Sequence, residues 1–286
     1  MPATIKKPAS SSRNAVKFYL LFYNLLSFAL WLRVFLGSVL YLCRGASARK
    51  IMSPWLANSI KTYLPAMVSA QSPDYTSMSP IVAELLSRAS TLHDHIAPLV
   101  VVTQSLAVFE FIHAALGLVK SNPFITAVQV LSRLIVVWLV SEKYESAAHS
   151  PYYATLILAW SLSEVGRYPF YVNQLLNSPS FMALWARYSF FVILYPLGVF
   201  SELQLIFASL PHNAPWPWVD MSAWGLRDLF FLAVIPLYAP GLIMLYSRLL
   251  ASRRKVLGND FIGSKGREEM RKIHEAKLRS HRQRQN

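Results

Sequence analysis

Hydrophobic positions along this chain run in long unbroken blocks, with neither the alternation of half-buried strands nor the narrow stripe of a surface helix. The blocks are Val16–Leu42, Ile96–Val119, Phe124–Val140, Tyr152–Leu176, Phe181–Leu210 and Leu226–Leu250. A helix needs about 20 such residues, and about 17 at the shortest, to cross a hydrocarbon layer about 30 Å thick. Backbone groups in lipid must be satisfied internally, and the alternating signature of a barrel is missing. The pattern therefore predicts an all-α integral membrane bundle of about six transmembrane helices spanning residues 15–252, with a short segment 1–14 before it and a basic tail 253–286 after it. The first block is too long for the apolar core of a signal peptide and no small-residue cleavage pattern follows, so it reads as a retained signal anchor. The one long connection is Arg44–Thr91. Within it Ile51–Ala70 mixes apolar residues with Ser, Asn and Lys and holds Pro54 and Pro65, which suits an interfacial segment better than a seventh span. Trp216, Trp218 and Trp224 lie together near the last block, where indoles anchor to a membrane interface.

Composition agrees: 54% of the 286 residues are hydrophobic and only 15% charged. The formal net charge of +14 changes the picture more, because the basic residues gather at the ends. Lys6, Lys7, Arg13 and Lys17 precede or open the first block, and Arg253–Arg284 holds eleven Lys/Arg against four acids. The positive-inside rule places both ends in the cytoplasm, which requires an even number of crossings and agrees with six. Arg44, Arg49 and Lys50 oppose this orientation and are outweighed by the terminal clusters. A basic tail beside a membrane meets anionic lipid headgroups, so membrane lipids are the expected partner and nucleic acid is not. Cys43 is the only cysteine, which excludes an intramolecular disulfide. With Arg49 it completes the Cys-x5-Arg spacing of tyrosine phosphatases. That loop needs a strand before it and a helix N-terminus after it to cradle phosphate. Here the cysteine follows a membrane helix, and the match is read as incidental.

The functional signal lies in polar residues at membrane depth, which are costly there and mark struts, pathways or sites. The second block holds Thr103, Gln104, Glu110 and His113; the third, Gln129 and Arg133; the fourth, Glu164 and Arg167; the fifth, Arg187, Tyr195 and Glu202. Glu110 with His113 and Glu164 with Arg167 are i,i+3 pairs on one helix face. Buried acids neutralised by buried arginines as interhelical struts account for Glu110, His113 and Arg133. A metal site is not expected, because a di-iron bundle needs paired Glu-x-x-His motifs and only one is present.

From the fourth block onward the residues resemble a known family. Trp160-Ser161, Glu164-Val165-Gly166-Arg167-Tyr168-Pro169-Phe170-Tyr171, Arg187-Tyr188, Leu194-Tyr195-Pro196-Leu197-Gly198-Val199-Phe200-Ser201-Glu202 and Tyr238-Ala239-Pro240-Gly241 with Leu245-Tyr246 are similar to the 3-hydroxyacyl-CoA dehydratases of microsomal fatty-acid elongation, once called protein tyrosine phosphatase-like proteins. Tyr23-Asn24, Trp31, Glu110, His113, Gly117, Ser121, Thr126, Gln129 and Arg133 agree as well. The resemblance implies an endoplasmic-reticulum membrane enzyme that removes water from a long-chain (3R)-3-hydroxyacyl-CoA, with no cofactor and with other elongation enzymes as partners. It also implies Tyr195 and Glu202 as the catalytic pair, supported by Arg133, Glu164, Arg167 and Gly198. Gly166 departs from the apolar branched residue common in the family, and the 44–91 connection is longer than usual.

The chemistry fits these residues on its own terms. β-Elimination beside a thioester needs one group to take the α proton and another to make hydroxide leave as water. Tyr195 and Glu202 are seven residues apart, two helical turns, so they share a face about 10 Å apart along the axis. Pro196 and Gly198 between them predict a kink and a close backbone approach. Glu202 on the β-hydroxyl and Tyr195 on the α-carbon is the favoured division, and the reverse also satisfies the chemistry. The acyl chain would lie between helices, with the CoA phosphates at the cytosolic face near the terminal Lys/Arg. The alternative from another class is a non-catalytic membrane scaffold or small-solute carrier with structural buried charges. The chain shows no internal repeat of the kind many carriers have, and a scaffold has no need for both Tyr195 and Glu202 on one face.

Overall fold

A computed structural model describes residues 10–45, 52–64, 67, 75, 77–211 and 221–285, with side-chain detail from Asn14 onward apart from a few residues. Its regular elements are helical throughout, and no strand occurs among the described residues. In chain order they are α1 (Ser10–Arg44), α2 (Pro54–Lys61), α3 (Pro80–Ser105), α4 (Val108–Ala115) and α5 (Pro123–Ile135), followed by a π-helical turn, Val136–Ser141. Then come α6 (Glu145–Ala148), α7 (Pro151–Leu175), α8 (Phe181–Ser189), α9 (Phe191–Ala208), α10 (Leu226–Leu257) and α11 (Ser264–Gln285).

Sequence punctuation explains where these helices start. Ser53, Ser79, Asn122 and Ser150 each precede a proline that opens a helix, a position where the missing N–H costs nothing. The side chains of Ser53, Asn122 and Ser150 accept from N–H groups of the first turn, as Ser180 does for α8. Gly117, at φ +67°, ends α4 in the left-handed region, where the Leu118 N–H reaches back to the His113 carbonyl at 2.9 Å.

Five helical stretches are long and apolar enough to cross a membrane: Asn14–Arg44, Pro80–Ala115, Pro123–Ser141, Phe181–Ala208 and Leu226–Leu257. The remaining block forms α7, which at 25 residues would reach about 37 Å. It is less apolar because it is the centre of the bundle: α1, α3 and α9 all pack on it, and its Tyr153, Trp160, Ser161, Glu164 and Tyr168 are buried. Tyr153, Ala154, Leu156, Ile157, Trp160 and Tyr168 supply its share of a core completed by Trp31, Val34, Leu92, Ile96, Leu205 and Ile206. In contrast, α10 buries only Asp228, Phe231, Arg253 and Leu257 and presents Leu237, Ile243 and Met244 outward. That is the surface a lipid-facing helix should have.

The second block starts earlier than its hydropathy predicts. α3 begins at Pro80, so the connection after α1 is shorter than Arg44–Thr91, and the polar residues Arg88, His93 and Asp94 are helical. Their polarity is absorbed locally. Arg88 donates to the Leu42 and Cys43 carbonyls at 3.0 and 2.7 Å, closing the C-terminus of α1, and pairs with Glu84 at 2.5 Å. The buried His93 meets the buried Glu142, just after the π turn, at 3.0 Å. Arg227 likewise donates to the Ser209 and Leu139 carbonyls at 3.0 and 3.1 Å. Arg88 and Arg227 at this end of the bundle therefore act as caps on backbone carbonyls.

Part of the Ile51–Ala70 segment forms α2, which buries none of its residues and exposes Trp55. Trp216 and Trp218 lie outside the described residues, as does Arg49 of the Cys-x5-Arg match. Trp224, expected at the interface with them, is instead buried in the core at 8% exposure. Residues 253–257 continue α10, and α11 then packs against α8. Asp260 fixes the turn between them by accepting from the Ser264 N–H at 2.9 Å, which with the Ser264 hydroxyl holds its carboxyl below the usual range.

Candidate active site

Polar side chains from five helices form one chain of contacts through the middle of the bundle. Glu110 on α4 accepts two bonds from Arg167 on α7, at 2.8 and 2.5 Å, and a third from the Tyr168 hydroxyl at 2.7 Å. Arg167 turns its Nε to Glu164, one turn earlier, at 2.6 Å. Glu164, 2% exposed, takes Arg133 of α5 on its other oxygen at 2.5 Å. Arg133 lies 5.2 Å from the ring centre of Trp160. The Trp160 indole N–H then donates to Glu202 of α9 at 3.3 Å, and the Tyr238 hydroxyl of α10 donates to the other Glu202 oxygen at 3.4 Å.

The three glutamates in this chain are not equivalent. Glu110 and Glu164 are held by arginines with charge-assisted geometry. Glu202 has no salt bridge among the described residues, and both groups bonded to it are neutral donors at long distances. Glu110 sits in the ion-paired setting expected of a strut, Glu164 shares that setting, and Glu202 does not.

Tyr195 stands on the same face of α9, two turns away. Its ring stacks nearly parallel on Tyr246 of α10, 6.3 Å between centres and 7° between planes. Pro196 explains the partner. Having no N–H, it leaves the carbonyl of Val192 without its helical donor, and the Tyr246 hydroxyl fills that role at 3.0 Å. The lost bond thus fixes a tyrosine of the next helix, whose ring orients Tyr195. α10 repeats the pattern of α9 in antiparallel sense, with Tyr238 opposite Glu202 and Tyr246 opposite Tyr195.

Gly198 lies between the pair and faces Trp160. A β-carbon there would meet the indole at 4.0 Å, an ordinary contact, so the close approach expected at this glycine is mild. Among the contacts of the described residues, neither Arg167 nor Arg187 pairs with or hydrogen-bonds Tyr195. Arg167 belongs to the glutamates, and Arg187 sits 5.9 Å from the Tyr188 ring. His113 bonds the Tyr19 hydroxyl at 2.8 Å and touches the Tyr23 ring edge-on, apart from the Arg167 side of Glu110.

Sequence reasoning placed Glu202 and Tyr195 correctly on one face but gave no role to Trp160, Tyr238, Tyr246 or Tyr168. The signal available was their polarity within apolar blocks: Tyr238 and Tyr246 are eight residues apart, again on one helix face.

Cys43 occupies the last helical turn of α1 and is exposed, with no phosphate-cradling loop formed by the residues described around it.

The comparisons with known proteins converge on this region. The family model described as "Protein tyrosine phosphatase-like protein, PTPLA" matches residues 104–259, which contain the whole chain of contacts from Glu110 to Tyr246 and exclude Cys43. A protein of Schizosaccharomyces pombe named "Probable very-long-chain (3R)-3-hydroxyacyl-CoA dehydratase" is 39% identical over 155 residues, 54% of this chain and 71% of the relative. The "Very-long-chain (3R)-3-hydroxyacyl-CoA dehydratase 1" of Canis lupus familiaris is 33% identical over 168 residues, 57% of this chain and 68% of the relative. In Caenorhabditis elegans, "Very-long-chain (3R)-3-hydroxyacyl-CoA dehydratase hpo-8" is 36% identical over 162 residues, 54% of this chain and 74% of the relative. No solved structure matches. The match spans more than half of the chain and keeps the polar network inside it: this protein belongs to the protein tyrosine phosphatase-like, PTPLA, family.

Proposed function

We propose that this protein dehydrates (3R)-3-hydroxyacyl-CoA to trans-2-enoyl-CoA in fatty-acid elongation, with Glu202 and Tyr195 as its proton-transfer groups. The observation that carries the reading is Glu202, a half-buried carboxyl with two neutral donors and no arginine partner among the described residues, on one face with a tyrosine two turns away. The names of the relatives supply the substrate class.

The reaction removes one proton from Cα and breaks the Cβ–O bond; the electron pair of the C–H bond forms the double bond, and hydroxide leaves with a proton as water. Glu202 gives the leaving oxygen its proton, Tyr195, as phenolate, takes the α proton, and a proton then passes from Tyr195 back to Glu202 to reset the pair. The opposite assignment balances equally. The Trp160 and Tyr238 donors hold the Glu202 carboxyl where α7, α9 and α10 meet, and stacking on Tyr246 restricts the Tyr195 ring. Both groups then meet one substrate without searching rotamers. Arg133, Glu164 and Arg167 support the site by holding Trp160 and α7 in place. Purified protein, given (3R)-3-hydroxyacyl-CoA without nucleotide or metal, is expected to release the enoyl thioester; absence of that product would refute the reading.

A cysteine outside the site has no part in this scheme. Exposed substitutions away from structural features typically shift stability by less than about 0.5 kcal/mol, so Cys43→Ser should leave dehydration within a few-fold of wild type. Complete loss of activity in a folded protein would revive a thiolate mechanism.

The setting proposed for the enzyme is the endoplasmic-reticulum membrane, with six crossings, both termini cytosolic and the other elongation enzymes nearby. A glycosylation acceptor appended after Asn286 should stay unmodified in microsomes, whereas one placed between α1 and α3 should be glycosylated. Modification at the C-terminal end would overturn the topology.

A further inference from the structure

At the end of α7 farthest from Glu142, the bundle opens into a cavity of about 520 Å³ between the last turn of α7, α8 and the C-terminal helix α11. Asn173 and Gln174 line it from α7, Asn177 from the turn that follows, Tyr188 from α8, and Ile273 and Lys277 from α11. Its volume falls within the range of about 300–1,000 Å³ typical of ligand sites, and a few polar groups among apolar ones is the usual lining. The active-site chain of contacts uses none of these residues.

The third wall of this cavity is a fixed part of the fold. The Trp185 indole N–H donates to the Phe261 carbonyl at 3.0 Å, Arg253 donates to the carbonyls of Asp260 and Phe261 at 3.1 and 3.0 Å, and Arg267 lies 5.1 Å from the ring centre of Phe181. Lys277 reaches across the cavity mouth to the carbonyl of Asn177, whose left-handed φ of 53° ends α7. α11 carries eight Lys/Arg against three acids. Of these Lys277 lines the opening, and a basic helix beside an opening concentrates polyanions there.

Three features select the occupant. The opening is cationic. It offers aromatic surface, since Phe170 and Tyr188 meet edge-to-face at 6.1 Å, beside three carboxamides that both donate and accept. It also lies at a fixed distance from the chemistry: Trp160, Arg167 and Gln174 recur every seven residues and therefore share one side of α7, with about 21 Å between the first and last. A purine nucleotide with several phosphates, joined to its reactive carbon by a long flexible arm, matches all three. We propose that this cavity holds the adenosine 3′-phosphate 5′-diphosphate end of the acyl-CoA, with Lys277 as a phosphate ligand, so that α11 is part of the substrate site. The inference rests on the acyl-CoA reading above and adds where the nucleotide sits.

Two variants of the full chain in detergent test it: Lys277→Glu, which reverses the charge, and Asn173→Trp, which fills the cavity. Each is assayed with a (3R)-3-hydroxyacyl-CoA and with the same acyl group on N-acetylcysteamine, which lacks the nucleotide, and free CoA binding is measured directly. Losing a hydrogen bond to a charged group should lower the CoA-to-cysteamine ratio of kcat/KM, and the affinity for free CoA, by about tenfold or more. An unchanged ratio overturns the proposal. So does an equal loss on both substrates, which signals damage to the bundle. If the wild type binds CoA through Lys277 yet dehydrates neither thioester, the reaction assignment fails and the cavity assignment stands. If it dehydrates the CoA thioester while CoA affinity is indifferent to both variants, the reaction assignment stands and the cavity assignment fails.

Discussion

Glu202→Gln and Tyr195→Phe are each expected to lower turnover of a (3R)-3-hydroxyacyl-CoA by about 10²–10⁴, the usual contribution of a general acid or base. Both changes nearly preserve shape. Glutamine at 202 can still accept from the Trp160 indole through its oxygen, while its amide N–H can donate to the Tyr238 hydroxyl, which turns from donor to acceptor. Phenylalanine at 195 can still stack on Tyr246, because that contact is between ring faces. Neither replacement disturbs an ion pair, so abundance and thermal stability should stay near wild type. The loss should therefore appear in kcat, with a smaller change in KM.

The double variant is the sharper measurement. If the two groups serve one transition state, removing the second after the first is already gone costs little more, and the double variant should be far more active than the product of the two single losses predicts. Independent, multiplicative losses would mean that the residues act in separate steps or that one acts only through the fold. Near-wild-type dehydration by either single variant at normal abundance would end the assignment altogether.

Much of this site was legible before the structure, and the reason is lipid. In water a Glu or Arg in a helix is ordinary, but within an apolar block it requires a partner or a purpose, so Glu110, Arg133, Glu164, Arg167 and Glu202 identified themselves. Pairing within one helix followed from spacing, as for Glu164 with Arg167. Pairing between helices did not. Arg133 reaches Glu164 across 31 residues of sequence and Arg167 reaches Glu110 across 57, and only the packing of α4, α5 and α7 selects those partners. Pro196 announced a free carbonyl at Val192, yet nothing in the sequence said that a tyrosine 54 residues later would take it. Block boundaries failed where charge was capped. α3 extends back to Pro80 because Arg88 and His93 direct their polarity to the end of α1 and to Glu142, which a hydropathy window counts only as a penalty.

The largest effect on stability should come from Glu164. Its carboxylate is 2% exposed and lies between Arg133 at 2.5 Å and Arg167 at 2.6 Å. Breaking a buried ion pair by removing one partner typically costs about 3–5 kcal/mol, because the remaining charge stays in a low-dielectric setting. Glu164→Gln strands Arg133 while Arg167 keeps the two-bond grip of Glu110, so the loss should fall on the α5–α7 contact. It should appear as lower membrane yield and a lower melting temperature in detergent, with activity falling alongside. Arg133→Met in the same chain removes the stranded charge and leaves Arg167 and Glu110 as a balanced pair. Removing both partners is often close to neutral, so most of the lost melting temperature should return. Activity should not return with it, because Arg133 also lies against the Trp160 ring whose N–H orients Glu202. Recovery of both would reduce Arg133 to a strut; recovery of stability alone makes it the link between the ion pairs and the catalytic carboxyl. If Glu164→Gln melts like wild type, the ion-pair chain does not hold the bundle together.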